Sequence, residues 1–383
     1  MLTASRLRDL AAHVGDPAIA SVYLDVDGSR RPVWADCVGA FDRLAERLAE
    51  QAARYGDNST SITDSRVPQL ARSAGSDIAR MRRWLDSGVD RDHTRGVALF
   101  ACAEQDYLQV VEVPAPVPDG TALGPVAQLA PLLRLLDRRR PALVALSDRR
   151  QLRVFSSTLG ELTEIATTED PEPRRLDTSL EIGSFDRHGD EAAESHRRHV
   201  AATITRAMAA AGAEQVVLAG PDPAVTAIIR HLPEPVAAAL AGRLRLAATA
   251  TAVDVASALA RLQEDVARQQ RAVAIERLTA RAGADDGAVL GVDHVLRTLG
   301  SGALATLLVC EDLVVPGGRC PTCGGLQGGP ADEPCATCGG ELVACHDVVA
   351  LAVARSLTSG ADVVVCDPGE LDGAGGIGAM QRW

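Results

Sequence analysis

The sequence predicts an α/β protein built from two or three domains, and three observations carry that reading. Its 383 residues exceed the roughly 250–300 at which one hydrophobic core stops growing. Short apolar runs of strand character alternate with longer stretches whose apolar residues recur at helical spacing, the pattern of layered α/β folds. Hydrophobic residues make up 46% of the chain and charged residues 23%, so apolar material for such cores is ample.

In chain order, residues 20–26 read as a strand. Val38, Phe41, Leu44, Leu48 and Ala52 then mark an amphipathic helix over 35–55. A polar stretch, 56–65, leads to a second helix with Ile78, Met81 and Leu85 on one face. Residues 96–101 and 107–111 read as a hairpin, closed off by Pro114, Pro116 and Pro118. Strands at 142–147 and 152–156 pair across the turn Asp148-Arg149-Arg150, and a third follows at 161–166. Residues 167–194 show no hydrophobic periodicity and are expected as a long polar loop. A helix follows to about Ala211, carrying Val200, Ile204 and Met208, and then a buried-type strand over 215–220. Residues 252–280 form a long helix with Leu259, Leu262, Val266, Val273 and Leu278 as its expected apolar stripe. The last part reads helix (292–299), strand (303–310), a Gly- and Cys-rich insertion, helix (347–357) and strand (362–366).

Composition narrows the functional classes. All 39 basic residues are arginine, which removes Schiff-base and P-loop lysines. Ten aromatic residues are too few for a base-stacking platform, so any nucleic acid must be gripped through arginine and backbone. Residues 1–137 carry 15 basic and 19 acidic groups, 138–283 carry 20 and 19, and 284–383 carry 4 and 13. RNA contact is therefore expected on the first two parts, and a protein partner on the acidic third. No apolar run reaches the roughly 18 residues of a membrane span and no signal peptide is evident, so the expected location is cytoplasmic.

The strongest chemical signal is Cys320-Pro321-Thr322-Cys323-Gly324-Gly325 followed by Cys335-Ala336-Thr337-Cys338-Gly339-Gly340. Four thiolates on two near-identical knuckles can close a tetrahedral shell around one structural zinc ion, with disulfide pairing as the competing reading. A complete Cys₄ shell leaves no open position for catalysis. Cys345 reads as a helix-start residue, and Cys37, Cys102, Cys310 and Cys366 as small core hydrophobes.

Gly373-Ala374-Gly375-Gly376-Ile377-Gly378 matches a dinucleotide fingerprint in letters, but no helix follows to receive a pyrophosphate. A glycine-rich return into a final edge strand is expected instead. No nucleophile elbow or His-Glu-x-x-His pattern occurs. His196 and His199, three apart, read as a solvated helix face, with an RNA or metal contact as the alternative.

The order of these pieces resembles the archaeo-eukaryotic class-I peptide-chain release factors and the Pelota family, and in particular their bacterial branch of Balon-like hibernation factors. The resemblance rests on the strand Val216-Val217-Leu218-Ala219-Gly220-Pro221 and on the run His196-Arg197-Arg198-His199-Val200. It also rests on Gly291-Val292-Asp293-His294-Val295-Leu296 and on the ending Gly375-Gly376-Ile377-Gly378. It implies three domains: 1–137, an α/β domain on the decoding-centre side; 138–283, a ribonuclease-H-like domain with the loop 167–194; and 284–383, an α/β/α domain with a zinc-ribbon insertion at 316–341. Members that release peptides carry Gly-Gly-Gln at the tip of the middle-domain loop. Here no glutamine occurs between Gln151 and Gln215, and the lysine-containing stop-codon motif of the eukaryotic factors is missing too.

The resemblance thus implies a factor that binds the ribosomal A site in hibernation or rescue without Gly-Gly-Gln peptide release. Two alternatives stay open: a peptidyl-tRNA hydrolase using Asp186 or His188 in place of glutamine, and a nuclease. The expected sites are Cys320, Cys323, Cys335 and Cys338 for zinc, and Arg80, Arg82, Arg83, Arg174, Arg175, Phe185, Arg187 and His188 for ribosomal RNA. A translational GTPase or a stalk-base ribosomal protein is the implied partner of the acidic third domain.

Overall fold

A computed structural model describes residues 2–15, 17–57, 66–148, 151–169 and 182–382. They fall into two compact units, 1–136 joined with 270–383, and 137–269.

The first unit opens with α1 (Ala4–Ala12), capped by the Thr3 hydroxyl, which accepts from the Arg6 amide at 3.1 Å. Strand β1 (Ile19–Asp25) is buried along its whole length. It lies between β2 (Gly96–Cys102) and β4 (Gly120–Gly124), and β3 (Tyr107–Val113) completes an antiparallel sheet of order β3-β2-β1-β4. Helices α2 (Trp34–Asp57) and α3 (Arg66–Asp86) cover one face, seating Phe41, Leu44, Leu48, Met81 and Leu85 against Val22, Leu24, Val97 and Leu99. These are the apolar positions that the helical spacing marks. Helix α4 (Ala130–Arg138), which the sequence reading leaves out, leads to the second unit.

That unit is a five-stranded sheet. Strands β5 (Ala142–Ser147), β6 (Gln151–Thr158) and β7 (Glu161–Glu169) run antiparallel to one another. Strand β8 (Gln215–Ala219) joins β5 in parallel, and β9 (Leu240–Leu244) joins β8 in parallel, giving the order β7-β6-β5-β8-β9. Helix α5 (Ile182–Ala211) and the short α6 (Asp222–Ile229) and α7 (Glu234–Ala238) help to bury one face, and α8 (Ala252–Gly283) buries the other. Period-two alternation divides β5 accordingly: Leu143 and Ala145 belong to the first core, Ala142, Val144 and Leu146 to the second. Three antiparallel strands followed by two parallel ones, with helices on both faces, make the expected ribonuclease-H-like unit.

The expected loop 167–194 includes regular structure at both ends, and 170–181 lie outside the described residues. Residues 167–169 continue β7, and α5 starts at Ile182. A helix with one solvated face needs no apolar periodicity along all of its turns, so polarity alone does not mark a loop. His196 differs too: it is 6% exposed, because it shares a stripe with Val200 and Ile204 at intervals of four. His199 is exposed as expected.

Helix α8 departs from its expected stripe. The buried positions are Val255, Leu259, Gln263, Ala267, Arg271 and Leu278, while Val273 is 57% exposed. Gln263 and Arg271 are polar yet buried because both find partners. The Gln263 amide donates to the Arg140 carbonyl at 2.8 Å, and Arg271 meets Asp367 at 2.6 Å and Glu370 at 3.2 Å.

The rest of the first unit holds β10 (Ala288–Leu290), α9 (Val292–Gly300) and β11 (Leu304–Cys310). Three short strands follow, β12 (Gly317–Arg319), β13 (Leu326–Gly328) and β14 (Val343–Cys345). Then come α10 (Val348–Thr358), β15 (Asp362–Cys366) and β16 (Ile377–Gln381). The order β10-β16-β11-β15 places β16 in the interior, antiparallel to both neighbours, and corrects its reading as an edge strand. Gly378 is needed there, since a Cβ would lie 2.5 Å from the Leu278 side chain of α8. Strands β11 and β15 are parallel and joined through α10, and the cysteine-rich insertion interrupts that crossover.

Candidate metal centre

The insertion is a small sheet of order β13-β12-β14 carrying two knuckles. Each knuckle repeats the same backbone geometry. The Cys320 amide donates to the Gly325 carbonyl and the Cys335 amide to the Gly340 carbonyl, both at 2.8 Å. Gly324 and Gly339 both stand at φ +72°, a left-handed conformation that favours glycine, so each chain can turn tightly behind its second thiol. The repeated Cys-x-x-Cys-Gly-Gly letters thus encode two copies of one turn.

The turns bring the Sγ atoms of Cys320, Cys323, Cys335 and Cys338 within 4.8 Å of one another. Cys320 and Cys338 are 3.4 Å apart, and Cys323 and Cys335 are 3.6 Å apart. The short distances pair one thiol from each knuckle. A tetrahedral ion with sulfur bonds of about 2.3 Å sets its ligands about 3.8 Å apart, so the donor set and its spacing fit one metal ion. Among the described residues this is the one such group of histidine, cysteine and carboxylate side chains.

The electrostatics favour a cation. Backbone amides of Cys323 and Thr322 and the Cys338 thiol draw Cys320 down to about 6. The amides of Thr337 and Cys338 lower Cys335 in the same way. Cys338 is held up at about 12: the Gly340 amide opposes this, but the surrounding thiols hydrogen-bond its protonated form. Four sulfurs this close cannot all ionise without a positive charge among them. Cys345 lies outside the cluster. It ends β14 rather than starting a helix, with Asp347 capping α10 instead, and burial pushes its thiol up to about 12.

The expected RNA contacts are distributed differently. On α3, Arg80 pairs with Asp106 at 2.7 Å and Arg82 with Asp42 and Asp86, while the exposed Arg83 donates to the Ala79 carbonyl. Arg174 and Arg175 lie outside the described residues. Phe185, Arg187 and His188 fall in the first turns of α5, and their side chains also lie outside them.

Sequence reasoning missed a second charged cluster. Arg134 of α4 pairs with Glu311 and Asp367, just past the ends of β11 and β15, and Arg271 shares Asp367 and adds Glu370. Nothing in the local pattern marks it, because the partners of Arg271 lie 96 and 99 residues away.

The chain thus joins a ribonuclease-H-like unit to a four-cysteine knuckle set into a further α/β module. Residues 128–284 match the family described as bacterial archaeo-eukaryotic release factor family 10. Among solved structures, an archaeal translation termination factor aligns at 17% identity over 100% of this chain and 99% of its own, with a TM-score of 0.27. Archaeal Pelota, described as ribosome-bound with ABCE1, aligns at 15% over 75% and 77%, with a TM-score of 0.40. A translation termination-like factor of S. cerevisiae involved in RNA quality control aligns at 9% over 75% and 79%, with a TM-score of 0.39. No curated protein matches the chain.

Proposed function

We propose that this release-factor relative binds the ribosomal A site in hibernation or rescue and does not hydrolyse peptidyl-tRNA. One observation carries the reading: within the family-matched region no glutamine lies between Gln151 and Gln215, so the residue that positions hydrolytic water in peptide-releasing relatives has no counterpart. In this reading residues 1–137, 138–283 and 284–383 act as three functional parts of a cytoplasmic protein. Cys320, Cys323, Cys335 and Cys338 hold one structural zinc ion, which shapes the insertion and supplies no open coordination position.

Arginine–phosphate contacts on the first two parts supply affinity for ribosomal RNA. Because Arg80 and Arg82 already meet carboxylates, Arg83 is the member of its cluster best placed to add such a contact. The acidic third part offers its charge to a translational GTPase or a stalk-base ribosomal protein. Deleting residues 177–189 should keep both units folded and reduce cosedimentation with ribosomes. A deletion variant that binds like the parent would remove that segment from the interface.

A further inference from the structure

Helix α10 is buried all round. Seven consecutive residues, Val348 to Ala354, are each below 9% exposure, about two full turns. Its own module covers part of that circumference, through α9, β11, β15 and the knuckle strands β12 and β13. The remaining cover comes from the other end of the chain, where α1 packs against α10.

Helix α1 suits that position. Leu7, Leu10 and Ala11, at intervals of three and four, are all below 5% exposure, as is Leu2 just ahead of the helix. Its polar groups meanwhile bind the N-terminal sheet. The Arg6 guanidinium donates to the Gln109 side chain of β3, and His13 stacks on Tyr107 with ring centroids 3.8 Å apart. The Gly15 amide donates to the Pro125 carbonyl at 2.8 Å. One short segment therefore buries apolar side chains beside a C-terminal helix and hydrogen-bonds an N-terminal sheet.

A second fastening lies at the ends of β11 and β15. Arg134, from the N-terminal side, meets Glu311 and Asp367, and Arg271 meets Asp367 and Glu370, so two guanidinium groups share one carboxylate. The side chain of Arg271 is 2% exposed, so its charge has little water to fall back on.

We infer that α1 is a strap: residues 2–12 complete the core of the C-terminal module, and the strap together with the Arg134–Asp367–Arg271 cluster makes the N- and C-terminal modules one cooperative body. The helix-accepting face of α10 is filled by this chain itself, so a protein partner must read the acidic exterior rather than that face. Nine residues are too few for a helix to be stable alone in water, so α1 and its seat stabilise each other.

Native-state hydrogen exchange on the full chain tests this. Leu10→Ala should speed exchange at least tenfold in α10 and, by the same factor, in β1 and β2, leaving β5 and β8 unchanged. Arg134→Gln should speed exchange at 365–372 without disturbing β5. If Leu10→Ala proves unfoldable, the milder Leu10→Val is read over the same segments. Unchanged protection of α10 in the Leu10 variant would overturn the strap, and unchanged protection of 365–372 in the Arg134 variant would overturn the charged fastening.

Discussion

The cysteine knuckles and helix α8 both gather polar side chains, yet they do so in opposite ways. In the knuckles every ligand sits within nineteen residues, and the turn that presents each pair is written in the two glycines after it. In α8 the polar members of the buried stripe, Gln263 and Arg271, are satisfied by Arg140, Asp367 and Glu370, about a hundred residues away in either direction. Local chemistry makes the first region self-specifying, whereas the second depends on the rest of the molecule being in place. The two should therefore fail differently.

The largest expected effect is at the knuckles. With the proposed zinc ion at the four thiols, chelation or Cys323→Ser should withdraw much of an apparent binding energy of roughly 10–16 kcal/mol. The sheet β12–β14 should lose its order while β1–β4 and β5–β9 persist, as amide exchange will show. Protein that carries no metal and has these four thiols paired as disulfides would break the first half of the comparison.

Next in size is Arg271→Met. It removes the nearly buried cation that Glu370 meets, leaves Asp367 with Arg134 alone, and should cost about 3 kcal/mol, read from the denaturant midpoint. A cost below 1 kcal/mol would mean that the cluster is an ordinary surface pair.

Asp77 of α3 tests the same logic beside the N-terminal sheet. Burial raises its carboxyl to about 6, against the pull of the Ala103 amide, which donates to Oδ1. A raised folded-state pKa means that the native state holds the proton more tightly. Its stabilising contribution is full below the ordinary carboxylate value and is lost as pH rises through about 6. Stability should therefore fall by about 2–3 kcal/mol between pH 4 and 7 on this account, and Asp77→Asn should flatten that slope. A variant with an undiminished slope would assign the pH dependence elsewhere.

The smallest effect is the most diagnostic for α8. Val273→Ala should change stability by less than about 0.5 kcal/mol, whereas Leu278→Ala should cost about 2–5 kcal/mol. Equal costs would restore the stripe that apolar spacing suggests.

These contrasts also explain what could be read in advance. Much of the three larger sheets follows from apolar runs that pack where they lie, such as Val97–Ala101 in β2 and Val216–Ala219 in β8, while the short, half-buried β4, β9 and β10 carry no such run. The metal cluster follows from spacing alone. Helix α1 escaped notice because Leu7, Leu10 and Ala11 make only one short stripe whose seat, α10, is more than three hundred residues away. Strand β16 was misplaced because glycine normally marks an edge or a turn, while Gly378 is there to admit Leu278. The start of α5 was missed because a solvated helix turn and a polar loop share one composition.

The central claim, ribosome binding without peptide release, is tested most directly by mixing the purified protein with ribosomes carrying labelled peptidyl-tRNA. Cosedimentation and peptide release are then measured in the same samples. The account predicts that the protein sediments with ribosomes, that the bound fraction falls steeply as salt rises, and that peptide is released no faster than without it. Failure to cosediment, or release accelerated by the protein, would contradict it.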